Sequence, residues 1–160
     1  MTHPAMIRDA TPDDIPTIAA IWNPILRDTA ISFWPGERSE QEVRDYVAER
    51  QKQGHAVLVA EEDGQVLGFA SYAQFRAGGG YAHSMEHTIH LVPGARGKGL
   101  GRALMHAIED HARARGARLM IGGITGSNVE SLRFHERLGY ADWGRIRRRA
   151  ANSVNGTNLC

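Results

Sequence analysis

The amino-acid sequence predicts one α/β domain of the α+β kind, with helices on both faces of a mixed central sheet. Its 160 residues are enough for a single domain with a sizeable core. Apolar residues alternate in some segments, as in strands, and recur at helical spacing in others. In chain order these segments give the pattern β-α-α-β-β-β-α-β-α, which is typical of a sheet flanked by helices.

The N-terminal third is predicted to contain a strand and two helices. The strand covers 5–8. Thr11 suits the N-cap of the first helix, because Pro12 follows at the first helical position and Asp14 at the third. A second capping box, formed by Ser39 and Glu42, predicts the start of another helix. The first helix carries an apolar stripe at Ile15, Ile18, Ala19, Ile21, Trp22, Ile25 and Leu26.

The rest of the chain is predicted to contain four strands and two helices. Strands over 55–60 and 66–75, joined by a turn over 62–65, form a hairpin. A flexible glycine-rich loop over 77–81 leads to a strand over 85–92. The segments that follow are a helix from Leu100 to about Arg115, a strand over 118–124 and a helix over 128–138 that ends before Gly139.

Composition and charge narrow the possible partners. The formal net charge of +1 gives no reason to expect nucleic acid or an anionic membrane as a partner. No apolar run approaches the length of a membrane span, and the N-terminus lacks the apolar core of a signal peptide. The only cysteine is Cys160, which excludes an internal disulfide and a thiolate metal cluster. We therefore expect a soluble cytoplasmic protein.

A glycine-rich turn precedes the helix that begins at Leu100. Its glycines are Gly97, Gly99 and Gly101, and its cations are Arg96 and Lys98. The first N–H groups of a helix lack intrahelical partners and point toward an anion, and glycines let a phosphate approach the backbone closely. The turn is therefore predicted to hold a pyrophosphate.

Three nucleotide-binding loops compete for this turn. A Walker loop requires Ser or Thr after the lysine, but Gly99 follows Lys98. A dinucleotide fingerprint requires Gly-x-Gly-x-x-Gly, and the glycines at 97, 99 and 101 have the wrong spacing. The acyl-coenzyme A loop, Arg/Gln-x-x-Gly-x-Gly/Ala, is matched at every fixed position by Arg96, Gly99 and Gly101. A glycine-rich turn without a ligand remains the alternative.

This loop and the order of elements resemble the GNAT superfamily of acetyltransferases. A second motif is similar to that superfamily's Asn-x-x-Ala/Ser-x-x-Leu/Phe-Tyr/His-x-x-x-Gly-Phe/Tyr, and it consists of Asn128, Ser131, Phe134, His135, Gly139 and Tyr140. Within the superfamily, the segment 85–91 is similar to the phosphinothricin acetyltransferases, which include enzymes that acetylate methionine sulfoximine and methionine sulfone. Residues 21–23, 29–33 and His135 also resemble that subfamily.

The resemblance implies a mostly antiparallel sheet with a splayed fourth strand, acetyl-CoA as cosubstrate without a metal, and a homodimer. It implies that the pantetheine arm pairs with the backbone of Ile89, His90 and Leu91. Asn128 is expected to cap its helix and to touch the cofactor, as is Ser131 nearby. The predicted cofactor site is completed by Arg96, Gly97, Lys98, Gly99, Leu100 and Gly101.

Acetyl transfer to an amine requires a neutral amine, a polarised thioester and a proton for the thiolate. Glu86 lies on a strand just before the cofactor turn, and the resemblance places a catalytic glutamate there; the alternative is an exposed strand glutamate. His135 is expected to donate a proton to the thiolate or only to position the sulfur. A helix-surface histidine without a role is its alternative.

Arg76 is predicted to bind a substrate carboxylate or phosphinate, because its planar fork suits either group; the alternative is a solvated arginine. The predicted substrate site also includes Phe33, Ala77, Gly78, Glu86, His87 and Thr88. Aromatic residues indicate a closed pocket, which disfavours protein amines as substrates; they are Trp22, Phe33, Trp34 and Tyr81. His83, His87 and His90 have neither a cysteine nor a second acidic ligand nearby, so no metal site is predicted.

Two function classes stay open on the sequence. The leading one is an N-acetyltransferase acting on a small amino-acid-like amine within a single domain over 1–160. The other is a non-catalytic acyl-CoA binder.

The tail over 145–160 departs from the resemblance. The subfamily continues with a hairpin containing a Lys-Phe-Gly-x-Trp-x-x-Leu segment, whereas this tail is basic and then polar, without strand alternation. Codons for 151–160, read from the third base of the first codon, can encode Lys/Glu-Phe-Gly-Gln-Trp-Asn-Glu-Leu-Val. One hypothesis is a frameshift between codons 143 and 150, with loss of the C-terminal hairpin. The alternative is a divergent natural tail.

Overall fold

A five-stranded mixed sheet forms the centre of the protein, as the computed structural model shows for residues 5–29, 36–147 and 158–159. Adjacent strands run antiparallel except β4 and β5, which run parallel. The prediction of a mixed, mostly antiparallel sheet is therefore confirmed. In spatial order the strands are β1 (Met6–Asp9), β2 (Val57–Glu62), β3 (Gln65–Gln74), β4 (Ser84–Leu91) and β5 (Leu119–Gly122).

Different helices cover the two faces of the sheet. The helices are α1 (Ile15–Asp28), α2 (Glu40–Lys52), α3 (Leu100–Ala114) and α4 (Val129–Arg137). Val57 and Val59 of β2 pack against α1 and α2, whereas Leu58 and Ala60 pack on the face covered by α3. Successive side chains of a strand point to opposite faces, so one strand supplies both cores.

The first predicted helix is split in two. Thr11 is the N-cap of a 3₁₀ turn over Pro12–Asp14, and α1 begins only at Ile15. The Ile15 N–H bonds to the carbonyl of Pro12, in the tighter 3₁₀ spacing. Pro16 has no N–H with which to make the α-helical bond to that carbonyl, which explains the split. The second capping box is confirmed, since the Ser39 side chain accepts from the N–H of Glu42.

The predicted hairpin is confirmed with a shorter turn. Strand β2 extends to Glu62 and β3 starts at Gln65, so only Asp63 and Gly64 lie between them. Both have positive φ, at 50° and 77°, as a two-residue hairpin turn requires. The loop predicted over 77–81 contains a 3₁₀ turn, Gly79–Tyr81.

Strands β4 and β5 form a fork. Their pairing ends at His87 and Gly122, and β4 then continues to Leu91 beside β3 alone among the described strands. Strand β5 is shorter than the predicted 118–124, because the chain leaves the sheet at Gly122 and Gly123. Residues 88–91 thus present a backbone edge on the side that β5 has left.

The tail contains a short ladder that the sequence did not predict. Strand β6 (Ile146–Arg147) pairs antiparallel with β7 (Asn158–Leu159), in a two-stranded sheet separate from the central one. The other tail residues, 148–157 and 160, lie outside the described residues. Across the described ranges, no helix has both the length and the apolar character needed to cross a membrane.

Candidate active site

A cavity of about 360 Å³ lies beside the free end of β4. Strand β4, the glycine turn and the start of α4 each supply part of its wall. The predicted cofactor residues in this wall are Ile89, His90, Leu91, Arg96, Gly97, Gly99, Gly101, Asn128 and Ser131. The structure thus brings together residues from both sequence motifs, which lie about 30 positions apart along the chain.

Lys98 and Leu100 were also predicted to bind the cofactor, but neither lines this cavity. The side chain of Leu100 is buried in the core beneath α3, because it starts the apolar face of that helix. Only its backbone N–H, in the first turn, is placed to meet an anion. The Lys98 side chain is exposed to solvent.

The three glycines of the turn have two different roles. Gly97 and Gly99 have φ of 77° and 83°, and a Cβ on either would meet nothing within 4 Å. Gly99 is the N-cap of α3, so open space lies in front of the first N–H groups of that helix. A Cβ on Gly101, by contrast, would lie 3.1 Å from the Phe134 ring and 3.3 Å from Leu91. Gly101 therefore allows α3 to pack closely on α4 and β4.

Positive side chains surround the cavity, as a polyphosphate requires. Arg96 forms an ion pair of 3.4 Å with Glu130, which joins the glycine turn to the first turn of α4. Arg102 and Arg137 also line the cavity. Neither arginine was predicted from the sequence as a cavity residue, because a charged residue on an exposed helix face is most simply a solvated one.

The start of α4 is built as predicted. Asn128 is the N-cap, and its Oδ1 accepts from the N–H of Ser131 at 3.1 Å. The Ser131 hydroxyl lies 3.4 Å from Nδ1 of His135, one turn later. Asn128 and Ser131 both line the cavity, so the residues that cap α4 also form part of the cavity wall.

Glu86 faces a second, larger cavity of about 1,070 Å³, bounded by β5, α4 and residues 141–146. Desolvation by the surrounding protein raises the pKa of its carboxyl above the usual glutamate value. A Cβ on Gly123 would lie 2.8 Å from Oε1, so this glycine makes room for the carboxylate. Leu138 lines both cavities and marks where they adjoin.

His87 points to the opposite face of the sheet from Glu86, because neighbouring residues of a strand alternate. It is only 8% exposed, and its Nε2 lies 3.1 Å from Nε2 of His135. Neither cavity wall includes it. His87 therefore contacts α4, and its place in the substrate site stays a prediction. Thr88 does lie on the Glu86 face, opposite Ser71 of β3.

His135 is 3% exposed, which corrects the alternative of a helix-surface histidine. Its Nδ1 lies 2.7 Å from the carbonyl oxygen of Ser131, and its ring lines the larger cavity. Burial lowers the pKa of its imidazole, so the ring is uncharged near neutral pH.

The predicted substrate residues Arg76, Ala77 and Gly78 form an exposed connection after β3. The Gln74 amide shapes it by donating to the carbonyl oxygens of Arg76 at 2.7 Å and Gly78 at 2.9 Å. The Arg76 guanidinium lies 5.9 Å from the centre of the Tyr81 ring and pairs with no carboxylate among the described residues.

Trp22 does not line the predicted aromatic pocket. It is 4% exposed and packs in the core against Tyr46 and Phe69, at ring-centre distances of 4.9 Å and 5.2 Å. The apolar stripe of α1 that contains Trp22 faces the sheet, which explains the burial. Phe33 and Trp34 lie outside the described residues.

The three histidines near β4 do not converge. His83 Nδ1 lies 2.8 Å from the carbonyl oxygen of Gly116, His87 contacts α4, and His90 packs against Trp22 on the other face. In the described part of the chain, no three His, Cys, Asp or Glu side chains are grouped as metal ligands would be.

Comparison with known proteins agrees with this geometry. Residues 22–140 match the model of the acetyltransferase (GNAT) family. An L-methionine sulfoximine/L-methionine sulfone acetyltransferase of Salmonella typhimurium is 36% identical over 135 residues, which cover 84% of this chain and 78% of the relative.

Two solved structures have closely similar folds. The protein yncA of Salmonella typhimurium, solved with its cofactor acetyl-CoA, has a TM-score of 0.91 at 30% identity, with 98% of this chain and 91% of that chain covered. A ribosomal-protein-alanine N-acetyltransferase of Brucella melitensis has a TM-score of 0.90 at 32% identity, with 96% and 95% covered. The fold, the cavity beside β4 and these similarities together show that the chain belongs to the GNAT family of acetyltransferases.

Proposed function

We propose that this protein transfers the acetyl group of acetyl-CoA to the amino group of a small amino-acid-like substrate, of the methionine sulfoximine, methionine sulfone or phosphinothricin type. One observation carries the proposal. The carboxylate of Glu86, one residue before the point where β4 and β5 part, faces the larger cavity, which adjoins the cavity beside β4 at Leu138. The name of the Salmonella typhimurium relative supports the substrate class.

The residues beside β4 fit acetyl-CoA, which supplies the thioester when bound. The N-terminus of α3 and Arg96 would hold the pyrophosphate, since left-handed Gly97 and Gly99 leave space before the helix. The free edge of β4 at 89–91 would pair with the amide groups of the pantetheine arm.

Glu86 would take a proton from the substrate ammonium group, directly or through water. A free α-amino group has a pKa of about 8, so most of it is charged at neutral pH and cannot attack a thioester. A carboxylate with a raised pKa is a stronger base than an ordinary glutamate. Arg76 would bind the carboxylate or phosphinate of the same substrate.

The experiment is an assay of free coenzyme A thiol with acetyl-CoA and one amine at a time: methionine sulfoximine, phosphinothricin or a peptide amine. The proposal expects release that depends on one of the two amino-acid analogues. Release with the peptide alone would indicate a protein-amine acetyltransferase, as named for the Brucella melitensis protein. Binding of acetyl-CoA without release by any amine would indicate a non-catalytic acyl-CoA binder.

We further propose that the protein acts in the cytoplasm as a homodimer, without a nucleic-acid or membrane partner. The net charge of +1 gives no general attraction to nucleic acid or to an anionic membrane, which supports the absence of both partners. Light scattering coupled to gel filtration tests the dimer, and a mass of one chain would overturn it.

A further inference from the structure

A pair of buried histidines joins β4 to α4. The rings of His87 and His135 are almost parallel, with an interplanar angle of 9° and centres 5.0 Å apart. Their Nε2 atoms are 3.1 Å apart, within hydrogen-bond distance, and both side chains are at least nine-tenths buried. One of the two nitrogens must therefore carry the proton of this bond.

The contact with Ser131 decides which nitrogen carries it. A carbonyl oxygen can only accept, so Nδ1 of His135, at 2.7 Å from the Ser131 oxygen, must carry a hydrogen. A neutral imidazole protonated at Nδ1 has a bare Nε2. His87 is then the donor, from its own Nε2, and its Nδ1 is bare. That Nδ1 is buried without a described hydrogen-bond partner.

The surroundings keep the pair uncharged. Burial lowers the pKa of both imidazoles, and that of His87 falls to about 3. Tyr140 lies edge-on to both rings and donates its hydroxyl to Glu109 of α3 at 2.8 Å. Glu109 and the Ser131 carbonyl oxygen act to raise the pKa of His135, but burial outweighs them. A proton added to the pair would place a charge in this interior and leave Nδ1–H of His87 without an acceptor. His90, which also lies on β4, further lowers the pKa of His87.

The pair lies at the fork of the sheet. His87 is the last residue of β4 that pairs with β5, and its partner there is Gly122. A Cβ on Gly122 would lie 3.0 Å from Nε2 of His87, so this glycine makes room for the ring. His135 belongs to the helix whose first turn lines the cofactor cavity. The histidine bond thus holds that helix at the level where β4 and β5 part.

We propose that His87 is a positioning residue for acetyl transfer, which donates to the bare Nε2 of the neutral His135 and so holds α4 against β4. The proposal rests on the proposed function. With Nδ1–H bonded to Ser131 and Nε2 accepting from His87, the neutral His135 has no free proton to give to the thiolate, so the proposal excludes the acid among the two roles considered for it. The thiolate then takes up the proton that the substrate nitrogen loses as the C–S bond breaks and the C–N bond forms.

Long-range ¹H–¹⁵N spectra of protein labelled in histidine test the tautomers without any turnover. The proposal expects His135 protonated at Nδ1 and His87 at Nε2, with the pKa of both rings below the 6.5 of an ordinary histidine. The opposite tautomers, or an imidazolium of either ring near pH 6.5, would overturn it. Absence of acetyl transfer would count against the proposed function and would leave this result intact.

Two variants test the positioning role. His87→Gln keeps an N–H near the place of Nε2, whereas His87→Leu removes it. We expect His87→Leu to lower kcat/KM about tenfold or more and to change the Nε2 resonance of His135 in the histidine spectra, because that nitrogen loses its donor. His87→Gln should retain most of the rate and a hydrogen-bonded Nε2. The exposed His106 on α3, changed to Leu, is the matched control. A wild-type rate and an unchanged Nε2 resonance in His87→Leu would overturn the proposal.

Discussion

Gly123 lies directly against the carboxylate of Glu86, so that a Cβ on Gly123 would stand 2.8 Å from Oε1. Gly122 lies against His87 in the same way on the other face of the sheet, where a Cβ on Gly122 would stand 3.0 Å from Nε2 of His87. Two consecutive glycines at the end of β5 therefore make room for two functional groups on opposite faces.

Replacing Gly123 with Ala should lower turnover and leave acetyl-CoA affinity nearly unchanged. The new methyl group must displace the Glu86 carboxylate, and a shift of about 1 Å at a catalytic group can cost up to about 100-fold in rate. Steady-state kinetics and calorimetric titration of acetyl-CoA measure the two effects separately. Gly94→Ala, where a Cβ meets nothing within 4 Å, is the control. Equal kcat in Gly123→Ala and wild type would contradict the assigned position of Glu86.

Glu86→Gln should keep cofactor affinity and lose about 10²–10⁴-fold in turnover at neutral pH. The loss should be smallest at high pH, where the substrate amine is already neutral. In the wild type, only the carboxylate accepts a proton, so kcat/KM should fall as the pH falls through the pKa of Glu86. Because that pKa is raised, the fall should begin above the usual 4.5. A pH–rate profile of both proteins checks this, and a wild-type rate in the variant would remove Glu86 from the mechanism.

Gly99→Val should abolish acetyl-CoA binding. Gly99 has φ of 83°, which is unfavourable for a β-branched residue, and a side chain there would fill the space before the N-terminus of α3. Gly64→Val is the matched control, because Gly64 has φ of 77° in the β2–β3 turn and lines neither cavity. Calorimetry should show binding only for the control, although thermal unfolding should show both destabilised. Undiminished affinity in Gly99→Val would disprove the pyrophosphate site.

Arg76→Ala should raise KM for an amino-acid-like substrate about tenfold or more, while KM for acetyl-CoA stays unchanged. A charge-assisted bond to a carboxylate contributes about 1.5–3 kcal/mol, and loss of it weakens ground-state binding. Arg76→Lys should recover only part of this, since lysine lacks the planar fork. The exposed Arg44 of α2, changed to Ala, is the control. If KM is unaffected in Arg76→Ala, the arginine is a solvated one.

Local signals predicted most of the fold and most of the residues that meet in the cavity beside β4. The capping box at Ser39, the hairpin and the glycine turn all depend on residues close together along the chain. The histidine pair could not be predicted in this way, because His87 and His135 are 48 positions apart and meet only when α4 packs on the sheet. Because side chains alternate along a strand, the sequence alone could have placed His87 and Glu86 on opposite faces of β4. The predicted substrate site instead included consecutive residues of the strand, whichever face they occupy.

The tail should limit turnover rather than cofactor binding. Among the described strands β5 pairs with β4 alone, while Trp143 is 91% exposed and Ile146 is 69% exposed. An open strand edge beside exposed apolar side chains favours association between chains. The cofactor cavity is built from residues before position 139, so its affinity for acetyl-CoA should not depend on the tail.

Resequencing the codons for 143–150 tests the frameshift hypothesis directly, and a second reading frame without the Phe-Gly-Gln-Trp segment would end it. If that segment is present, a protein carrying it should bind acetyl-CoA as tightly as the present chain and turn over methionine sulfoximine faster. It should also elute as one defined species, because a hairpin of that kind covers the edge of β5. Gel filtration and thiol release measure both properties. If the present chain has the same kcat and the same elution profile, the tail is a tolerated natural variant and β5 needs no further strand.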